Sequence, residues 1–138
     1  MKAIHDLEIK NLIRMASDAK MRAYAPYSGF CVGAALVTAG GKLYTGCNVE
    51  NQSYGATICA ERTAAVKAVS DGERRFVQLA IASSAGTATP PCGMCRQFLA
   101  EFAEGLTVYL ADGDGFCVCS FADLFPQAKI PLERKDAE

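Results

Sequence analysis

The sequence predicts an α/β domain of three layers, with helices on both faces of a mixed sheet of about five strands. Three observations carry this. Helical and strand patterns alternate along the chain: helix, two strands, helix, strand, helix, strand, strand, helix. The length of 138 residues suits a single domain over 1–138. A chain of this size buries about two-thirds of its unfolded surface and needs no disulfide staples. Hydrophobic residues at 51% and charged residues at 21% give an ordinary globular balance.

Taken in order, Asp6 is the expected cap of a first helix reaching about Tyr24, with Leu7, Leu12, Met15, Ala16 and Ala19 near one face. Pro26 and Gly29 in "APYSGF" end it. "CVGAALVTAGGKLYTGCNVEN" reads as two strands joined at Ala39-Gly40-Gly41, the antiparallel part of the sheet. The loop "NQSYGAT" leads into a helix from Cys59 to about Asp71-Gly72. "RFVQLAIASS" is a buried strand, and "AGTATPP" a loop. "CGMCRQFLAEFAEG" is an amphipathic helix with Phe98, Leu99 and Phe102 on its apolar side and Gly105 at its end. "LTVYLAD" and "FCVCSF" are strands around the turn Gly113-Asp114-Gly115. "SFADLFP" is a short helix capped by Ser120, with Phe125 in the core, and a polar tail begins at about 127. Each later helix is expected to carry the chain between parallel strands.

A formal net charge of −1 argues against a nucleic-acid groove or an anionic membrane as partner, because both require clustered Lys and Arg. No apolar run approaches the ~18 residues of a membrane span. Asp6 and Glu8 interrupt the place of a signal peptide's apolar stretch, so a cytoplasmic location is expected. In that compartment the seven cysteines are core residues or metal ligands rather than disulfides. Asn51-Gln52-Ser53 fits a glycosylation sequon, which is chance in such a chain.

The chemistry concentrates in two places. Cys92 and Cys95 form a Cys-x-x-Cys at a helix start, where positions i and i+3 share a face. Cys59 also opens a helix. Helix N-termini carry free N–H groups and partial positive charge, which favour thiolate over thiol. Two such termini facing each other would bring three thiolates to one cation, with zinc the expected metal. Three protein ligands leave a position for water, as in catalytic rather than structural zinc sites. The single histidine, His5, falls in the N-terminal turn and reads as solvated surface. Cys31, Cys47, Cys117 and Cys119 fall on strands and read as small buried hydrophobes. A redox pair of the thioredoxin type explains Cys92 and Cys95 alone but leaves Cys59 and Glu61 unused. A zinc ribbon lacks its second Cys-x-x-Cys.

Cys-x-Glu followed by Pro-Cys-x-x-Cys is the zinc deaminase pattern in its three-cysteine form. The segments "YAPYSGFCVGAAL", "GCNVENQSYG", "ICAERTA" and "PCGMCRQ" closely resemble the small homotetrameric cytidine deaminases that act on free nucleosides. The resemblance spans roughly Tyr24 to Leu99. It implies the cytidine-deaminase fold, one Zn²⁺ per subunit, and hydrolysis of cytidine and 2′-deoxycytidine to the uracil nucleosides with release of ammonia, a step of pyrimidine salvage. It implies that Glu61 takes a proton from the water at the open position, protonates ring N3 and assists the leaving ammonia. Three thiolates around a divalent cation leave net negative charge, which Arg62 would offset by hydrogen-bonding the sulfurs.

The resemblance also assigns the substrate contacts. Asn48 and Glu50 would bind the sugar 3′-hydroxyl, and the Glu50 carboxylate would repel a 3′-phosphate. Phe30 would pack on the nucleoside. The backbone of Ala60 and the carbonyl before Cys92 would read the edge of the base. Tyr54 and Gln97 match positions near the site or subunit contacts. The stretch "LFPQAKIPLERK" places Lys129 where many relatives carry a Phe that stacks on the base in a neighbouring subunit. That departure points to weaker stacking, by ~1–3 kcal/mol, or to altered pyrimidine substrates. The remaining readings are a deaminase of a modified cytidine or aminopyrimidine nucleoside analogue, and a zinc-stabilised or redox-sensing binding module.

Overall fold

The computed structural model describes residues 2–126 and Lys135, with the backbone alone for residues 2–6. Lys129 and the tail from 127 otherwise lie outside the described residues. Among the described residues nine α-helices and β-strands follow one another: α1 Lys2–Lys20, β1 Val32–Thr38, β2 Leu43–Cys47, α2 Ala60–Ser70, β3 Phe76–Ser83, α3 Gly93–Leu99, β4 Thr107–Asp112, β5 Gly115–Ser120 and α4 Phe121–Leu124. The five strands form one sheet in the order β2-β1-β3-β4-β5.

Strand alternation builds two cores. Ala34, Leu36, Leu79, Ile81, Val108 and Leu110 face the layer of α2, α3 and α4. The intervening Ala35, Ala80, Ala82 and Tyr109 face α1. Both faces are thus covered, and β1 is buried along nearly its whole length. The expected mixed sheet of three layers is present. It is more antiparallel than expected, since only β3 and β4 pair in parallel. β1 sits antiparallel between β2 and β3, so α2 carries the chain across β1 rather than to an adjacent strand.

Two glycines set how closely the helices approach. A Cβ on Gly33 would stand 1.9 Å from the Ala16 carbonyl oxygen of α1. A Cβ on Gly46 would stand 2.5 Å from both the Ala60 carbonyl oxygen and the Ala64 nitrogen of α2. Each helix lies directly on bare strand backbone, one on each face.

Several boundaries differ from expectation. α1 begins at Lys2, so Asp6 is inside it rather than its cap, and it ends at Lys20. Tyr24 instead bridges to Val49. The buried stripe of α1 is Ile9, Leu12, Ala16 and Ala19, spaced three and four apart, while Leu7 and Met15 are exposed. α3 stops at Leu99, well before Gly105. The backbone leaves the helix there to give the Phe102 carbonyl to the Phe76 N–H (2.9 Å), with the two rings 5.2 Å apart. The cap of α4 is as expected, the Ser120 hydroxyl accepting from Asp123 N–H (3.3 Å). Phe125 is half-buried against the core. Cys31, Cys47, Cys117 and Cys119 are not buried. Cys31 and Cys47 sit at strand ends, and β5 is an edge strand with solvent along it.

Candidate metal centre and adjoining pocket

Cys59 is the N-cap of α2 and Cys92 the N-cap of α3, both in extended backbone, and Cys95 lies in the first turn of α3. These two helices follow β2 and β3, which run in the same direction, so both N-termini emerge at the same end of the sheet. The three sulfurs all lie within 4.8 Å of one another. Cys59 and Cys92 Sγ are 3.6 Å apart. A tetrahedral ion at ~2.3 Å from each sulfur requires sulfurs about 3.8 Å apart. The donor set therefore fits zinc, with three soft ligands and space for a fourth. Among the described residues no fourth side chain of metal-ligating type joins the cluster.

The sulfurs are not electrostatically equal. A hydrogen bond from Cys95, and further ones from Arg62 and Cys92, lower Cys59 to about 5 against the cost of its burial. Cys95 is pushed up, first by its bond to Cys59, then by burial and the Glu61 charge. Negative charge is thus favoured at Cys59 and disfavoured at Cys95. Arg62 Nη2 donates to Cys59 Sγ (3.5 Å) and to the Thr57 carbonyl (3.4 Å). Its Nε is buried without a partner.

Glu61 follows Cys59 by two residues and is only 4% exposed. Burial, reinforced by the Cys59 thiolate, raises its carboxyl to about 7, while its own N–H and Arg62 pull the other way. A carboxyl poised there exchanges protons readily near neutral pH. Ala60, fully buried, opens α2, so its N–H belongs to the helix's unsatisfied first turn.

A cavity of about 380 Å³ adjoins this cluster, lined by Tyr27, Ser28, Glu50, Asn51, Tyr54 and Thr57. Thr57 connects it to the sulfurs through Arg62. Val49 holds the two regions together, exchanging paired backbone bonds with Ile58 (2.9 Å each) just before Cys59. A larger cavity of about 520 Å³ lies between α4 and the turn before β4. The smaller one is the better candidate for a ligand because Arg62 ties its Thr57 to the Cys59 sulfur.

The substrate-contact residues of the sequence divide. Glu50 lines the cavity, and Tyr54 does so with its ring 6.3 Å from that of Tyr27. Phe30 is 39% exposed, a surface more open than a core aromatic. Asn48 is buried, and both ends of its amide are engaged: Oδ1 accepts from Val32 N–H (2.9 Å) and Nδ2 donates to the Phe30 carbonyl (2.7 Å). One N–H and one lone pair remain to it. The carbonyl before Cys92, that of buried Pro91, already accepts Arg96 Nε–H (2.8 Å). Gln97 is exposed on α3 and is not among the lining residues. The sequence reading missed Tyr27 and Ser28, whose amides both donate to Glu50 Oε1 (2.9 and 3.1 Å). The signal available was a serine beside a glycine two residues before Phe30, a local side-chain turn.

Comparison with known proteins agrees with this geometry. Residues 7–111 match the cytidine and deoxycytidylate deaminase zinc-binding region. A cytidine deaminase of Sporosarcina psychrophila is 48% identical over 110 residues, covering 79% of this chain and 81% of that one. One from Halalkalibacterium halodurans is 49% identical over 105 residues, covering 75% and 80%. Among solved structures, the cytidine deaminase of Burkholderia pseudomallei superposes with a TM-score of 0.81 at 45% identity, covering 87% of this chain and 98% of that one. With the match spanning most of the chain in sequence and in fold, the chain belongs to the cytidine and deoxycytidylate deaminase family.

Proposed function

We propose that the chain is a zinc-dependent deaminase that hydrolyses cytidine and 2′-deoxycytidine to uridine and 2′-deoxyuridine, as a single catalytic domain. The observation that carries this is the convergence of Cys59, Cys92 and Cys95 at two helix N-termini, with the buried Glu61 two residues from the first sulfur. A structural zinc site has no use for a buried carboxylate at that place.

Cys59, Cys92 and Cys95 hold the ion, and Arg62 offsets their charge through Cys59. Bound zinc supplies a Lewis acid that makes water ionisable near neutral pH. Glu61 takes the proton released from the attacking water and delivers it to ring N3. It then carries the second proton to the departing amine. One carboxylate suffices because each proton taken is returned. Its burial keeps it near the midpoint of protonation, where both directions of transfer are accessible. The N–H of Ala60, in the first turn of α2, donates to an oxygen on the base in this reading. Glu50 and Asn48 select the sugar, and the negative charge of Glu50 disfavours a phosphate there, so free nucleosides are the substrates.

Exposed apolar side chains on the segments around the site, among them Tyr24, Val49, Tyr54, Ile58 and Met94 of α3, are available for association with further copies. On the resemblance to the small homotetrameric cytidine deaminases we assign a homotetramer with sites near subunit contacts, acting in cytoplasmic pyrimidine salvage. No helix among the described residues is long and apolar enough to cross a membrane.

The test is the loss of the cytidine absorbance band on incubation with purified protein, with ammonia measured alongside, before and after chelation and zinc restoration. Activity that follows zinc content establishes the reading. Metal-free protein with full turnover would refute it. Sedimentation giving an active monomer would remove the tetramer.

A further inference from the structure

The loop Ala25–Gly29 turns back on itself, with Gly29 in left-handed backbone (φ 72°) donating its N–H to the Ala25 carbonyl (2.9 Å). This turn aims the Tyr27 and Ser28 amides at Glu50 Oε1. The Ser28 hydroxyl donates to the other carboxylate oxygen, Oε2. The same hydroxyl oxygen accepts the Phe30 N–H (2.9 Å). Because Phe30 can only donate there, the single hydroxyl proton is committed to Glu50.

Counting acceptors gives the consequence. An ionised carboxylate offers about four lone-pair positions. Two on Oε1 are taken by amides and one on Oε2 by Ser28, which leaves one, on Oε2. The Phe30 peptide is gripped at both ends, its N–H by Ser28 and its carbonyl by Asn48. Glu50 is the only charged residue among those lining the cavity, whose other side chains are Tyr27, Ser28, Asn51, Tyr54 and Thr57. The hydrogen bond from the Ser28 hydroxyl is the main reason its carboxyl titrates below the usual range, followed by those from the Ser28 and Tyr27 amides.

We infer that Ser28 is a positioning residue for nucleoside selection: its hydroxyl fixes the Glu50 carboxylate with a single free acceptor for the sugar 3′-hydroxyl and ties that acceptor to the backbone of Phe30. The inference rests on the deaminase reading above for the identity of the ligand. It goes beyond that reading in assigning sugar selection to a residue that need not touch the sugar. Without the hydroxyl, Oε2 has two free acceptor positions open to water, and the Phe30 N–H loses its partner.

The experiment compares Ser28→Ala with the shape-matched pair Ser28→Thr and Ser28→Val, which differ in the hydroxyl alone. Cytidine and 2′,3′-dideoxycytidine are the substrates, and the wild-type protein is run first. Ser28→Ala and Ser28→Val should raise KM for cytidine about tenfold, the order expected for one exposed charge-assisted hydrogen bond, with a smaller change in kcat. On 2′,3′-dideoxycytidine, which has no 3′-hydroxyl, the loss should be under about threefold. Ser28→Thr should restore the cytidine value.

Equal losses on the two substrates, or Ser28→Val matching Ser28→Thr, would overturn the inference, since the hydroxyl would then serve the loop alone. Carbon-13 NMR of the Glu50 carboxyl in the unliganded protein gives a readout independent of turnover. Its titration should move up in Ser28→Ala and Ser28→Val but not in Ser28→Thr. An unmoved titration overturns the inference even if the wild-type chain deaminates cytidine. A moved titration with no wild-type deamination instead locates the failure in the functional reading.

Discussion

Gly46→Ala tests how the strand sets the metal centre. The new methyl carbon would stand 2.5 Å from two backbone atoms of α2, the Ala60 oxygen and the Ala64 nitrogen, and 3.0 Å from Thr63 Cβ. Ordinary contact begins near 3.4 Å. Backbone cannot rotate away as a side chain does, so the first turn of α2 must retreat by about 1 Å. That turn carries Glu61 and follows Cys59. Misplacement on this scale costs about 10²-fold in rate, and overpacking costs about 1–3 kcal/mol of stability. Gly33→Ala is the control. Its methyl clashes at least as severely, but with α1 on the opposite face. Both variants should lower the thermal midpoint. Gly46→Ala should in addition lose kcat/KM and zinc affinity beyond what Gly33→Ala loses, measured on protein that is still folded. If the two variants lose activity equally, or if Gly46→Ala remains fully active while destabilised, the argument from close approach is wrong.

Three further outcomes are expected. Glu61→Gln should bind zinc normally and lose ~10²–10⁴-fold in kcat; a variant within tenfold of wild type would remove Glu61 as the proton carrier. Zinc binding to metal-free protein at neutral pH should release at least the proton that Cys95 retains there, so affinity rises with pH; calorimetry in buffers of different ionisation enthalpy reads the count, and no release contradicts the charge distribution among the sulfurs. Asn48→Ala should cost about 1–3 kcal/mol in denaturant unfolding, because the Val32 N–H and Phe30 carbonyl both lose their partner; a neutral result would leave Asn48 a ligand-binding residue alone.

The elements with strong local signals were legible in the sequence. The Ala39-Gly40-Gly41 turn closes the hairpin as expected, with Gly41 in left-handed backbone (φ 81°) and bonded back to Thr38. The Cys59 helix and the Ser120 cap were readable because each has a stop or start residue of defined chemistry. The start of α1 is not legible because an aspartate suited to capping can equally stand inside a helix when nothing upstream breaks the pattern. The length of α3 is not legible because the chain beyond Leu99 is held by a long-range bond to Phe76, which no local pattern encodes. The cysteine trio was legible through its spacing at helix starts. The double engagement of Asn48 was not, because a polar residue beside a strand looks the same whether it serves a ligand or the backbone behind it.

Cys59 and Cys92 stand 33 residues apart, and between them run α2 and β3, the middle strand of the five. An ion shared by their sulfurs is therefore a clasp closed around the spine of the molecule, comparable in reach to a cross-link that restrains a loop of that length by about 3–4 kcal/mol. Departure of the cation would then loosen the molecule as well as silence it, so the unfolding midpoint should fall alongside turnover.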